Sequence, residues 1–117
     1  MTEKPIKVPK EWGYELWLAN NLENNYCGKI LHVNAGSRFS MHFHRDKHET
    51  FYVQNGECEL NTIDTQTAKV TTVSLSEGDT VEIDRHVPHQ IVAKTEVDII
   101  ELSTYHRDSD SYRVWRD

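Results

Sequence analysis

The sequence predicts an all-β fold, a sandwich or barrel of short antiparallel strands, and three observations carry that reading. Segments rich in Val, Ile, Thr and aromatic residues recur at near-regular spacing. Clusters of Gly, Asn, Asp and Pro separate them. No window keeps an apolar helical period over three turns.

Taken in order, the first ten residues hold Pro5, Pro9 and three lysines, and read as an N-terminal arm. A strand follows over 15–19, ended by Asn20-Asn21 and Asn24-Asn25. The next strands are expected over 27–33 and 38–44, with Asn34-Ala35-Gly36 turning between them. After Arg45-Asp46-Lys47, a strand over 48–54 meets Asn55-Gly56, a dipeptide that favours a tight hairpin turn. Strands over 58–63, 69–75, 80–83, 89–93 and 97–103 complete the pattern. Residues 105–117 are polar and irregular, yet Tyr112, Val114 and Trp115 suggest a tail that docks on the barrel. Nothing divides the chain, so 1–117 reads as one domain with a barrel core over about 27–104.

Composition narrows the function classes. The 117 residues are 27% charged and 37% hydrophobic, enough for one modest core in a soluble globule. No apolar run reaches the length of a membrane helix. The start Met1-Thr2-Glu3-Lys4-Pro5 lacks an apolar signal region, so a cytoplasmic protein is expected. A net charge of −6 argues against nucleic-acid binding, which relies on clustered Lys and Arg. Cys27 and Cys58 sit in no C-x-x-C pattern and are expected to be free.

The informative residues are histidines. His42 and His44 stand two apart on one strand, so both imidazoles project from the same face. Glu49 opens the following strand, which can return antiparallel and bring its carboxylate to the same point. His89, after Pro88, begins a later strand and completes a three-His, one-carboxylate set. Imidazole with carboxylate suits a divalent metal ion (Mn, Zn, Fe, Co or Ni) and leaves positions open for water or substrate. His32, His86 and His106 read as surface or satisfied core residues.

Gly36-x5-His42-x-His44-x4-Glu49-x6-Gly56 resembles the first motif of the cupin superfamily at each specified position. Gly78-Asp79 and Pro88-His89 are similar to the second motif. There Asp84-Arg85-His86-Val87-Pro88 replaces the usual P-x-G turn, and Ala93 stands where an Asn often follows. The resemblance implies a jelly-roll barrel with the metal inside, held by His42, His44, Glu49 and His89. The flanks Trp12-Gly13-Tyr14-Glu15-Leu16-Trp17, Tyr26-Cys27-Gly28-Lys29-Ile30-Leu31 and Glu101-Leu102-Ser103-Thr104 look like those of small cupins similar to D-lyxose isomerases and mannose-6-phosphate isomerase domains.

That likeness implies aldose–ketose isomerisation of a small sugar or sugar phosphate, assisted by the metal and a proton-shuttling side chain. Glu101, in the apolar run Asp98-Ile99-Ile100-Glu101-Leu102, faces either a polar cavity with a partner or the outside of its strand. Lys47 and His48 could reach the pocket mouth, against a competing reading as solvated loop residues. Arg38 shares the parity of His42 and could bind a phosphate or sugar hydroxyl, or form a surface salt bridge. Trp12, Trp17 and Trp115 read as packing anchors and Tyr52 as an outer-face residue. Exposed edge strands make a homodimer a reasonable expectation. Competing functions are an Fe(II) dioxygenase or lyase, and a non-catalytic metal- or carbohydrate-binding module.

Overall fold

The computed structural model describes residues 2–115, and every element among them is a strand except one short 3₁₀ turn, Asp108–Asp110. The strands are β1 (Ile6–Lys10), β2 (Gly13–Asn21), β3 (Tyr26–Val33), β4 (Met41–Phe43), β5 (Glu49–Asn55) and β6 (Glu57–Ile63). They continue as β7 (Val70–Ser76), β8 (Thr80–Ile83), β9 (His89–Ala93), β10 (Val97–Ser103) and β11 (Tyr112–Trp115). A six-stranded sheet runs β1-β2-β3-β10-β5-β8, and a five-stranded sheet runs β11-β4-β9-β6-β7. All pairings are antiparallel. The result is a jelly-roll barrel, as the strand pattern predicts. No helix is long and apolar enough to cross a membrane.

The alternation of side chains explains the interior. On β3, Cys27, Lys29, Leu31 and Val33 point inward; on β10, Val97, Ile99 and Glu101 do so; on β5, Glu49, Phe51 and Val53. Cross-strand register aligns these rows: Val97 opposes Val33, Ile99 opposes Leu31 and Val53, and Glu101 opposes Lys29 and Phe51. One end of the barrel is therefore a packed apolar plug that includes Leu60, Ile83 and Ile91. Towards the other end the same inward rows turn to Lys29, Glu101 and Glu49. That switch of chemistry along continuous strands opens the site.

Three expectations are corrected. The 1–10 segment is more than an arm, because Ile6–Lys10 pairs along its whole length with β2. Hydrogen bonding to an edge satisfies its backbone without apolar periodicity. The strand over 38–44 shrinks to Met41–Phe43, with Arg38 joined to Val92 by an isolated bridge. Asn55-Gly56 is a corner between the two sheets and not a hairpin, since β5 and β6 pair with different neighbours. Gly56 has φ +89, and a Cβ there would lie 2.2 Å from the carbonyl oxygen of Glu96, so the chain crosses too close for any side chain. The tail docks as expected, yet it is ordered: the 3₁₀ turn leads into β11, which pairs with β4. Cys27 and Cys58 are free and buried, and Tyr52 lies on the outer face, 38% exposed.

Ile99 is fully buried at the centre of the plug. Ile99→Ala is expected to cost about 2–5 kcal/mol through lost burial and the cavity left behind. Urea unfolding should show a lower midpoint with an unchanged slope; a loss well under 1 kcal/mol would contradict this packing.

Candidate metal centre

His42 and His44 come from β4 and the residue after it, and His89 from the start of β9, where His42 and His89 are direct cross-strand partners. Their ligand nitrogens lie within 4.8 Å of one another, so among the described residues these three could hold a metal ion. Glu49 reaches the same point from the opposite sheet. Its Oε2 is 3.3 Å from His44 Nε2 and 3.0 Å from His89 Nε2. The carboxylate thus arrives across the barrel, because β4 and β5 belong to different sheets and do not return as a hairpin.

Each imidazole is oriented by its other nitrogen. Nδ1 of His42 donates to Ser40 O at 2.7 Å, Nδ1 of His44 to Asp110 O at 2.9 Å, and Nδ1 of His89 to Val87 O at 2.9 Å. A neutral ring that donates from Nδ1 presents a bare lone pair at Nε2. Burial, helped by the neighbouring His89, pushes His42 down to about 3, so its ring is neutral at ordinary pH. Burial acts to raise Glu49, but a proton shared with His44 or His89 and the Lys47 ammonium hold it well below the usual carboxylate range.

With His44 and His89 protonated at Nδ1 alone, a buried anion faces lone pairs. Glu49 Oε2 and His89 Nε2 are 3.0 Å apart, fully buried, and neither has a hydrogen-bond partner. Two acceptors in contact cost free energy unless a proton or a cation lies between them. The donor set fits a divalent cation on that ground.

The other predicted residues sit around this point. A cavity of about 500 Å³ is lined by all four, together with Arg38, Lys47 and Glu101. Lys47 is 3% exposed and no solvated loop residue; its Nζ donates to Glu101 Oε2 at 3.0 Å and lies 3.7 Å from Glu49 Oε1. Glu101 faces inward, 3% exposed, and also accepts from Ser103 Oγ at 2.9 Å. Burial works against the Lys47 charge, but Glu101 and Glu49 outweigh it and raise its pKa, so it remains an ammonium. Arg38 is exposed at the cavity wall. His48 points away from the site, bonded to Glu82 and Asp84 on the surface. Trp12 lines the cavity edge-on to Phe39, whereas Trp115 is exposed on β11.

Sequence reading missed three residues. His106 is buried; its Nδ1 accepts from Lys47 Nζ at 3.0 Å and its Nε2 donates to Asp108 Oδ1 at 2.8 Å. Burial, then the Lys47 and Lys29 charges, lower its pKa and keep it neutral. Lys29, 1% exposed, lines the cavity beside Glu15. Asp110 accepts from the backbone N–H groups of Arg45, Asp46 and Lys47 at 2.9–3.2 Å, while its own carbonyl takes the His44 proton. Those N–H groups overcome burial and depress its pKa. The inward parity of Lys29, shared with Cys27 and Leu31, was a usable signal; none existed for His106 or Asp110, which act across more than fifty residues.

A family model described as "Cupin domain" matches residues 29–105. The chain belongs to the cupin family. No curated protein matches the chain. Among solved structures it is similar to the capsular polysaccharide assembling protein CapF of Staphylococcus aureus, with TM-score 0.86 and 15% identity over 99% of this chain and 33% of that one. It is also similar to oxalate decarboxylase of Bacillus subtilis, with TM-score 0.80 and 16% identity over 94% of this chain and 30% of that one. The cupin chain spans about a third of the length of each, and at these identities the likeness speaks for the fold.

Asp110 tests the frame around the site. Asp110→Ala should strand the N–H groups of Arg45, Asp46 and Lys47 and loosen the segment whose Asp110 carbonyl holds the His44 ring, weakening divalent-cation binding by about 10–100-fold. Titration calorimetry with Zn²⁺ or Mn²⁺, run where the variant stays folded, checks it. Unaltered affinity would show that the tail does not support the centre.

Proposed function

We propose that this cupin is a metal-dependent aldose–ketose isomerase of a small sugar or sugar phosphate, with the cation held by His42, His44, Glu49 and His89. The buried Lys47–Glu101 pair carries the reading: a charged acid and a carboxylate, 3.0 Å apart, in the same cavity as the histidines. A divalent cation at that point supplies Lewis-acid charge for two adjacent sugar oxygens.

The residues then divide the proton work. Glu101, hydrogen-bonded by Lys47 and Ser103, takes the proton from the carbon next to the carbonyl and returns it to the neighbouring carbon. Lys47 stays charged and, since its 3.7 Å contact with Glu49 exceeds a hydrogen bond, has an N–H for the oxygen on which negative charge grows. His106 fixes the direction of that ammonium by accepting from it. Phe39 and Phe51 line the cavity and keep bulk water from the abstracted proton. Arg38 is placed to hold the far end of a substrate. The outward Tyr52 and Leu102, 38% and 58% exposed, are in keeping with a homodimer.

Glu101→Gln should lower kcat on a productive aldose by about 10²–10⁴-fold while leaving cation affinity intact. The measurement is ketose formation, with solvent hydrogen exchange at the carbon beside the carbonyl, over a panel of aldoses and their phosphates. Full activity in that variant removes Glu101 from the mechanism. A protein that purifies with iron and consumes dioxygen would instead be the dioxygenase or lyase that the same donor set suits.

A further inference from the structure

Beside the metal centre, the cavity wall carries a row of buried and half-buried charges that the isomerase chemistry only partly uses. Glu15, Lys29, Glu101, Lys47 and Glu49 follow one another with alternating sign. Lys29 Nζ is 3.2 Å from Glu15 Oε1, Lys29 and Glu101 are direct partners on β3 and β10, and Lys47 bridges Glu101 and Glu49. Each carboxylate sits beside an ammonium, and with three carboxylates to two ammoniums the row leaves no net positive charge.

The hydrogen-bond count of Lys29 is the telling detail. An ammonium has three N–H groups. Among the described residues one goes to Glu15, and the face of Trp17, 4.4 Å from Nζ, takes a second. The third belongs to a residue only 1% exposed that lines the cavity. Glu15 accepts both Lys29 and Trp17 Nε1 on Oε1 alone. Burial opposes the Glu15 charge, but Lys29 and Trp17 lower its pKa and keep it an acceptor. A donor and an acceptor therefore stand side by side, well away from the histidines in the chain.

We propose that Lys29 and Glu15 form a hydroxyl-binding subsite, and that the ligand is a neutral polyhydroxylated carbon chain lying along this row rather than a phosphate ester. A hydroxyl both donates and accepts, which is what a Lys–Glu pair offers. A phosphate dianion only accepts, and it would meet a carboxylate beside each buried ammonium. This deepens the isomerase reading by naming its substrate class and rests on that reading for turnover, although not for binding.

The test uses the Zn²⁺-loaded full chain with D-mannitol, D-mannose, D-mannose 6-phosphate and inorganic phosphate as probes, followed by saturation-transfer NMR and calorimetry. The two neutral compounds should bind, the phosphate ester at least tenfold more weakly, and inorganic phosphate should not displace them. The paired variant Lys29→Met with Glu15→Gln leaves no unpaired charge, so it should fold with unchanged Zn²⁺ affinity and bind mannitol at least tenfold more weakly. Single Glu15→Gln, which keeps the lysine, should weaken mannitol by a smaller factor. Tighter binding of the phosphate ester, displacement by phosphate, absence of polyol binding, or variants that bind mannitol as the native chain does would each overturn the proposal. Mannose that binds along this row but is never converted would instead count against the isomerase reading alone.

Discussion

Everything at the open end of the barrel depends on one constraint: three imidazoles tie their Nδ1 atoms to backbone carbonyls, and a buried carboxylate meets the Nε2 atoms of two of them. The carbonyls of Ser40, Val87 and Asp110 are fixed by the chain, so the rings cannot turn to offer Glu49 a proton without losing a hydrogen bond. Glu49 Oε2 and His89 Nε2 are left buried and unbonded. A protein interior tolerates such a contact only where something positive settles it. That is an electrostatic argument for a proton or a cation between them, independent of any family likeness.

The rest of the fold makes the constraint rigid. The two sheets deliver its halves, histidines from one and carboxylate from the other, so the packed plug of Leu31, Val53, Ile99 and Ile91 sets the distance between them. The C-terminal segment supplies the remaining support. Asn20 clamps His106 through a reciprocal pair of hydrogen bonds, Arg107 pairs with Asp46, and Asp110 gathers the loop that separates His44 from Glu49. A tail that looks irregular is therefore part of the site's wall.

Much of the fold was legible because strand periodicity is local. The strands over 80–83, 89–93 and 97–103 lie where the alternation put them, and H-x-H parity placed two imidazoles on one point. What escaped was set by distant partners. β1 and β11 are strands because β2 and β4 offer them hydrogen bonds, and their own residues say little about it. Asn55-Gly56 signals a turn truthfully, but whether the chain hairpins or crosses between sheets depends on Glu96 lying against it. Glu101 was ambiguous between inside and outside until Lys47 was seen to meet it; a buried acid is affordable only with its partner. His106 and Asp110 carry no local mark at all.

The tautomeric state of the rings tests the central claim most directly. Long-range ¹H–¹⁵N correlation spectra of the imidazoles, recorded with and without Zn²⁺, read which nitrogen bears the proton. His42, His44 and His89 should all be protonated at Nδ1, with their Nε2 resonances moving together as one equivalent of Zn²⁺ is added. Rings protonated at Nε2, or Nε2 signals indifferent to the cation, would contradict the account.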